Sequence, residues 1–248
     1  MRVAPRIPET VAAIDWSGAR GGSEQRRRIC TAIAGAGGIS AFDGRTREQT
    51  IELVESLPAP LVVGIDMSFG APAWFARAHG CTTIHDLWTL AALDGERWLE
   101  PEPPFWRDRC EVPVEQRYRA CEVRLRDAGF PAKSIFQLVG NGQVGMGSVR
   151  GMPLLARLRA SGFAIWPFDP PADRTVIEIY PSLLRRLVAH DGIEFANEHE
   201  RDAMLSARAM WERRDSFATL TAANDPNRLI EGDVWAPDAT ADVRDVAP

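Results

Sequence analysis

Lysine, tyrosine and long apolar runs are scarce in this 248-residue chain. Lys133 is the only lysine among 29 Lys and Arg residues, and we attribute this bias to genomic composition rather than to function. The N-terminal stretch MRVAPRIPET lacks the apolar core of a signal peptide. No apolar stretch is long enough to span a bilayer. We therefore expect a cytoplasmic protein with no membrane partner.

Cysteine is also scarce, and the four that occur are Cys30, Cys81, Cys110 and Cys121. They show no C-x-x-C spacing, which predicts reduced thiols rather than disulfides. The segment HGCTTIHD gathers two histidines, a cysteine and an aspartate, but its spacing differs from that of zinc-finger ligands. We interpret it as a group of polar residues near a helix start. A structural zinc site is therefore not expected.

The chain has the composition of an ordinary globular protein, with 45% apolar and 25% charged residues. Its net charge of −5 excludes a nucleic-acid-binding field over the whole surface. A local basic groove is compatible with this charge. Nucleic acid or a nucleotide is thus a candidate partner only if a specific site binds it.

The first part of the chain predicts strands joined by glycine-rich links. Residues 11–17, 26–35 and 38–43 are expected to form a three-strand antiparallel meander. A helix follows, with Thr46 as its N-cap. The next segment, PLVVGID, is a continuous apolar run, which is typical of a strand buried on both faces.

The later part of the chain predicts alternating strands and helices. We expect a helix over 152–161, strands in FAIWPFD and TVIEIYP, and a last helix that begins near Asn197. The whole order predicts one α/β domain over residues 1–248. Its mixed five-stranded sheet combines the meander with parallel strands and is flanked by helices. A helical insertion is expected at about 70–133 and a loosely ordered tail at about 237–248.

Four carboxylates occupy positions that a purely structural role does not readily explain. They are Asp15 in the first strand, Asp66 at the end of the fourth, Glu178 within VIEIY, and Asp202 early in the last helix. If the strands that carry the first three are neighbours, their ends meet at one edge of the sheet. The last helix would then lay Asp202 across that edge.

Converging carboxylates repel one another, and a divalent cation relieves the repulsion. Oxygen ligands suit Mg²⁺ or Mn²⁺, and a pair of such ions can activate a water and stabilise the leaving oxygen of a phosphodiester. Each acid also has a structural alternative. Asp15 and Asp66 would cap strand ends, Glu178 would pair with a buried arginine, and Asp202 would favour the positive end of a helix.

Several blocks of the sequence resemble a family of predicted nucleases. These blocks are AIDWSGA, VVGIDMSFGAP, RACE, SIFQLVGNGQVGMGSVRGMPLLARL, WPFD, VIEIYPSLL and RDAMLSA. In this order, from about residue 11 to about 236, they resemble an uncharacterised domain-of-unknown-function family of predicted RNase H-like nucleases. The resemblance implies a ribonuclease H-like fold, whose superfamily contains two-metal nucleases, resolvases and transposases.

The resemblance also implies roles for individual residues. It makes Asp15, Asp66, Asp202 and Glu178 the catalytic metal ligands. Contacts with the substrate are expected from Ser17 and Ser68 of the repeated I-D-x-S pattern, from Arg119 and Glu122 of the R-x-x-E block, and from Gly142 and Gly145. The sequence leaves a second role open for the R-x-x-E pair, which is to brace the insertion.

Two other functions stay open. One is a non-catalytic nucleotide- or partner-binding protein on the same fold. The other is a dinucleotide-binding enzyme, because the loop Gly140–Gly147 contains G-x-G-x-x-G, follows a strand-like stretch and precedes a helix. Asp169 lies at a suitable distance in sequence to bind a ribose hydroxyl. The backbone N–H groups of the same loop would alternatively meet a substrate phosphate.

Overall fold

A mixed α/β architecture is present in the computed structural model, which describes residues 6–100, 103–107, 110–140, 144–189 and 192–237. The tail predicted at about 237–248 lies almost entirely outside the described residues, as does Gly142. Helices cover both faces of a single sheet. This agrees with the α/β class expected from the order of strand and helix patterns.

The described residues form a sheet of six strands in the spatial order β3-β2-β1-β4-β6-β5. Its strands are β1 (Thr10–Asp15), β2 (Cys30–Gly35), β3 (Gly38–Phe42), β4 (Leu61–Ile65), β5 (Ala164–Ile165) and β6 (Arg174–Glu178). β2 is antiparallel to both neighbours, whereas β1, β4, β6 and β5 run parallel to one another. The prediction of a mixed sheet is confirmed. The strand count is six rather than five, and FAIWPFD, which was expected to contain a strand, forms only the two-residue edge strand β5.

Nine α-helices are present in the described part of the chain. They are α1 (Gly22–Arg28), α2 (Arg47–Ser56), α3 (Ala73–Ala78), α4 (Ile84–Trp98), α5 (Ala120–Asp127), α6 (Val144–Ala160), α7 (Pro181–Leu184), α8 (Glu198–Glu212) and α9 (Arg228–Glu231). Short 3₁₀ helices occupy Val114–Gln116, Arg185–Leu187 and Arg214–Thr219. The predicted caps of α2 and α8 are confirmed: Thr46 accepts from the N–H of Gln49, and Asn197 accepts from the N–H of Glu200.

The second strand was predicted to start at residue 26, and this is wrong. Residues 22–28 form helix α1, and β2 begins only after it. The buried side chain of Gln25 holds this helix in place, because its amide oxygen accepts from the N–H of Arg47 at 3.0 Å. The triple arginine therefore lies in the last turn of α1, where cations are favoured by the helix dipole.

The start of helix α6 also differs from the prediction. It begins at Val144, well before residue 152, because its glycines allow close packing. A Cβ added to Gly145 would lie 2.3 Å from the carbonyl oxygen of Ile135, and one added to Gly151 would lie 2.0 Å from the Met67 sulfur. Contacts between distant segments thus override the low helix propensity of glycine.

Helices α3, α4 and α5 lie between β4 and α6, and no described residue in this part of the chain adds a strand to the sheet. This matches the helical character predicted for about 70–133. Asp86 forms a capping box with Thr83 at the start of α4, so the HGCTTIHD segment is a helix start as expected. All four cysteines are free. Among the described helices, none is long and apolar enough to cross a membrane.

Two apolar cores lie on opposite faces of the sheet. Ile14 and Ile65 are partners in the β1–β4 register and belong to the core under α2, α4 and α6. Side chains alternate along a strand, so the next residues, Asp15 and Asp66, face the other side, which α8 covers. Glu178 pairs with Ile65 in the β4–β6 register and therefore faces the side opposite to these two aspartates.

Candidate active site

Three predicted acids lie at one edge of the sheet. Asp15 is the last residue of β1, Asp66 directly follows β4, and Glu178 is the last residue of β6. These strands are parallel and adjacent, so their carboxyl ends meet at the same edge. The N–H of Asp66 donates to the carbonyl of Ile14 at 3.0 Å, which continues the pairing of the two strands. Open α/β sheets bind ligands at this edge.

Helix α8 adds the fourth acid. Its first turns carry His199 and Asp202, which are three residues apart and share one helix face. His199 Nδ1 lies 2.5 Å from Asp15 Oδ2. Asp202 Oδ1 accepts from Arg185 Nη1 at 2.6 Å and from Arg201 Nε at 3.1 Å. The last helix therefore crosses the site as the sequence predicted.

The carboxylates repel one another, and this changes their pKa values. Burial raises the pKa of Asp66 well above its usual value, and the charges of Asp15, Asp202 and Glu178 raise it further, while Arg185 lowers it. No described residue donates a hydrogen bond to the Asp66 carboxylate. Burial likewise raises the pKa of Asp15 to about 6, although the hydrogen bond with His199 opposes this. His199, Arg185 and Arg201 bind Asp15 and Asp202, whereas Arg185 opposes the rise in the pKa of Asp66 only in part.

Glu178 has a different environment from the three aspartates. Its two carboxylate oxygens accept from Arg119 Nη2 at 2.5 Å and from Arg119 Nη1 at 2.9 Å. The N–H of Phe69 adds a further hydrogen bond at 2.9 Å. This is the pairing with a buried arginine that the sequence allowed as an alternative. A metal ligand role would require this ion pair to break, so the prediction of Glu178 as a ligand is disfavoured.

Arg119 is 1% exposed and has no donor left for a substrate. Besides its bonds to Glu178, it donates to Glu122 Oε1 at 2.9 Å, to the carbonyl of Glu231 at 2.8 Å and to Ser68 Oγ at 3.2 Å. All five guanidinium N–H groups are thereby used. The expected substrate contacts of Arg119, Glu122 and Ser68 are therefore replaced by a brace that ties α5, β6 and the segment after β4 together.

Ser17, another predicted substrate contact, is also engaged within the chain. Its hydroxyl accepts from the N–H of Ala19 at 3.1 Å, and its carbonyl accepts from Arg47 at 3.0 Å. The residue is 8% exposed. Ser17 therefore shapes the turn after β1 rather than offering a free hydroxyl.

The glycine loop does not have the geometry expected of a dinucleotide site. Gly145 and Gly147 lie inside α6 rather than in the loop that precedes it. The N–H of Gly145 donates to the carbonyl of Gln137 at 3.1 Å, so it is not available to a phosphate. Asp169, the candidate ribose ligand, is bound by Arg159 at 2.6 Å. These contacts disfavour the dinucleotide alternative, and residues 141–143 of the loop lie outside the described part of the chain.

A small, half-open cavity of about 30 Å³ lies beside the acids. It lies where the ends of β4 and β6 meet α5 and the start of α6. Its polar lining consists of Asp66, Ser68, Arg119, Glu122, Lys133, Glu178 and Tyr180. The sequence analysis missed Lys133 as a site residue, along with His199 and Arg185. The three-residue spacing of His199 from Asp202 and the uniqueness of Lys133 were usable signals, whereas nothing local marks Arg185.

The carboxylate oxygens of Asp15, Asp66 and Asp202 suit a hard cation. Their present hydrogen bonds, however, do not leave them arranged around a common point where a cation would bind. In the part of the chain that the structure describes, no three His, Cys, Asp or Glu side chains are arranged to hold a metal ion. Asp15 is bound to His199 and Asp202 to Arg185, which leaves Asp66 as the acid without a partner. Rotation of His199 and Arg185 away from their carboxylates would free three oxygen donors of the kind that Mg²⁺ and Mn²⁺ prefer.

No protein-family model matches the chain, and no curated protein or solved structure is significantly similar to it. A function for the chain therefore has to be derived from the carboxylates at the sheet edge and the cavity beside them.

Proposed function

We propose that this protein is a metal-dependent nuclease that hydrolyses phosphodiester bonds, with Mg²⁺ or Mn²⁺ held by Asp15, Asp66 and Asp202. One observation carries the proposal: Asp15 ends β1, Asp66 follows the adjacent parallel strand β4, and helix α8 brings Asp202 to the same sheet edge. A divalent cation removes the repulsion between these carboxylates, and oxygen donors on one face of a sheet edge suit it.

The topology supports a ribonuclease H-like fold for the chain. The antiparallel strand β2 lies between β3 and β1, and the parallel strands β4 and β6 follow on the other side of β1. One acid ends β1, another follows β4 and a third lies on the long helix α8, which is the arrangement that the sequence resemblance implies. Since a fold hosts many functions, the activity is inferred from the acids and not from the topology.

In this mechanism acidic side chains of the protein would hold the cation, and other side chains would keep these acids in position. A bound divalent cation supplies Lewis acidity, which activates a water and stabilises the leaving oxygen of a phosphodiester. Asp66 and Asp15 fix the place of the cation at the ends of β4 and β1. Glu178 acts as a positioning residue, because it holds Arg119 and thereby the segment that carries Ser68.

The test combines metal binding with hydrolysis. Mn²⁺ is titrated calorimetrically, and labelled RNA, DNA and hybrid substrates are incubated with the loaded protein. We expect Asp66→Asn to lose more than about tenfold in Mn²⁺ affinity and to lose hydrolysis. The matched control is Asp173→Asn, an exposed acid that precedes β6 at the opposite edge of the sheet.

Two results would overturn the proposal. One is the absence of Mn²⁺ and Mg²⁺ binding by the wild-type protein at millimolar concentrations. The other is hydrolysis that survives in both Asp66→Asn and Asp15→Asn, since this would locate the activity elsewhere or in a contaminant. The first outcome would favour the non-catalytic nucleotide-binding or partner-binding alternative.

A further inference from the structure

The only lysine of the chain lines the cavity beside the acids. Lys133 shares this cavity with Asp66 and Glu178, although the remaining 28 of the 29 Lys and Arg residues are arginine. Its side chain is partly exposed. The ammonium group forms no hydrogen bond or ion pair with any described residue. Its charge is therefore left uncompensated within the described part of the chain, which contrasts with the fully paired Arg119.

Two of the three acids that line the cavity with Lys133 do not need its charge. Glu122 and Glu178, which line the same cavity, are both bound by Arg119. The cavity thus has a positive side at Lys133 and a negative side at Asp66.

We propose that Lys133 binds the phosphate group of the substrate in this cavity, next to the metal site at Asp66. The inference deepens the proposed function and rests on it for the identity of the reaction. The cavity measures only about 30 Å³, far below the ~300–1,000 Å³ of small-molecule pockets, so no more than the phosphate group would enter it and the rest of the substrate would lie outside.

The test is a binding titration that does not depend on turnover. Inorganic phosphate and a nucleoside monophosphate are titrated into the full chain by calorimetry, with and without Mn²⁺. We expect Lys133→Ala to weaken binding of both probes by about tenfold or more, because a charge-assisted contact is lost. Lys133→Arg keeps the charge and is expected to stay within a few-fold of the wild type. Arg6→Ala, an exposed remote cation, serves as the control.

The outcomes separate this inference from the proposed function. Equal phosphate affinity of the wild type and Lys133→Ala, or no phosphate binding by the wild type in either condition, would overturn it. Mn²⁺ affinity should be unchanged in Lys133→Ala. If the wild type neither binds Mn²⁺ nor hydrolyses nucleic acid, yet Lys133→Ala loses phosphate binding, the nuclease proposal fails and the lysine site stands. In an active enzyme, Lys133→Ala should raise KM more than it lowers kcat.

Discussion

Asp66 is expected to destabilise the folded chain at neutral pH when no cation is bound. Its folded pKa lies above the usual value of 3.8, because desolvation and the neighbouring carboxylates disfavour its charged form. The native state therefore binds more protons than the unfolded chain, and the free energy of unfolding falls as pH rises above that value. Asp15 adds the same dependence between 3.8 and about 6. The direction is opposite to that of a salt-bridged aspartate.

The first prediction is that Asp66→Asn stabilises the metal-free protein. At about pH 7.5 we expect its Tm to rise by a few degrees, since roughly 2–4 °C corresponds to 1 kcal/mol for a chain of this size. The gain should shrink as pH falls below about 4, because the wild-type carboxylate then becomes protonated in the unfolded state as well as in the native state. Thermal unfolding in EDTA measures both values. A lower Tm for Asp66→Asn at about pH 7.5 would show that the native carboxylate is favourably paired.

The second prediction concerns Arg119. Replacing it by methionine leaves Glu122 and Glu178 buried without their partner, and breaking a buried ion pair costs about 3–5 kcal/mol. Denaturant unfolding measures the loss. The control Arg6→Ala removes an exposed pair with Asp173 and should cost at most about 1 kcal/mol.

If Arg119→Met fails to fold, a variant that also carries Glu122→Gln and Glu178→Gln keeps the prediction testable. This triple variant removes the stranded charges and should recover part of the lost stability. A loss below about 1 kcal/mol in Arg119→Met alone would mean that the network does not brace the molecule.

At the scale of elements, helix α6 depends on the smallness of its glycines. The third prediction is that Gly145→Ala destabilises the protein by about 1–3 kcal/mol, although alanine is the better helix former. A Cβ would lie 2.3 Å from the backbone oxygen of Ile135, which cannot swing away as a side chain can. Denaturant unfolding is compared with Gly37→Ala, whose Cβ would meet no atom within 4 Å. A stabilised Gly145→Ala would show that helix propensity, not packing, controls this element.

Local signals were sufficient for part of the fold. The apolar run before Asp15, the cap at Thr46 and the cap at Asn197 predicted a strand and two helices correctly, because each depends on neighbours in sequence. Helix α1 was not predicted, since residues 26–28 were assigned to a strand, and the start of α6 was predicted too late. Their ends depend on contacts between distant segments, such as the bond from Arg47 to Gln25, which no local pattern reveals.

The site was predictable to a similar extent. Acids at strand ends become neighbours once the strands are parallel and adjacent, so the meeting of Asp15 and Asp66 followed from the element order. The partner of Glu178 did not follow, because the side it faces depends on the β4–β6 register. Lys133 was attributed to composition, since its place in the cavity depends on how the segment before α6 packs.

For the whole molecule, the fourth prediction is a gradient of hydrogen exchange across the sheet. Strands β1 and β4 are central and covered on both faces, whereas β3 is an edge strand whose residues are all exposed or only partly buried. Amides of β4 should therefore exchange through global unfolding and those of β3 through local opening. Native-state exchange measures both. Equal protection of β3 and β4 would indicate that another element covers the β3 edge.

A single ε-amine in the chain has a practical consequence. An amine-reactive ester can modify only Lys133 and the α-amine at the start of this sequence, and peptide mapping separates the two products. Because the lysine lines the cavity, its acylation rate reports directly on occupancy there. The cavity therefore contains its own chemical reporter, with which a collection of unlabelled metabolites and nucleotides can be screened for protection before any reaction is known.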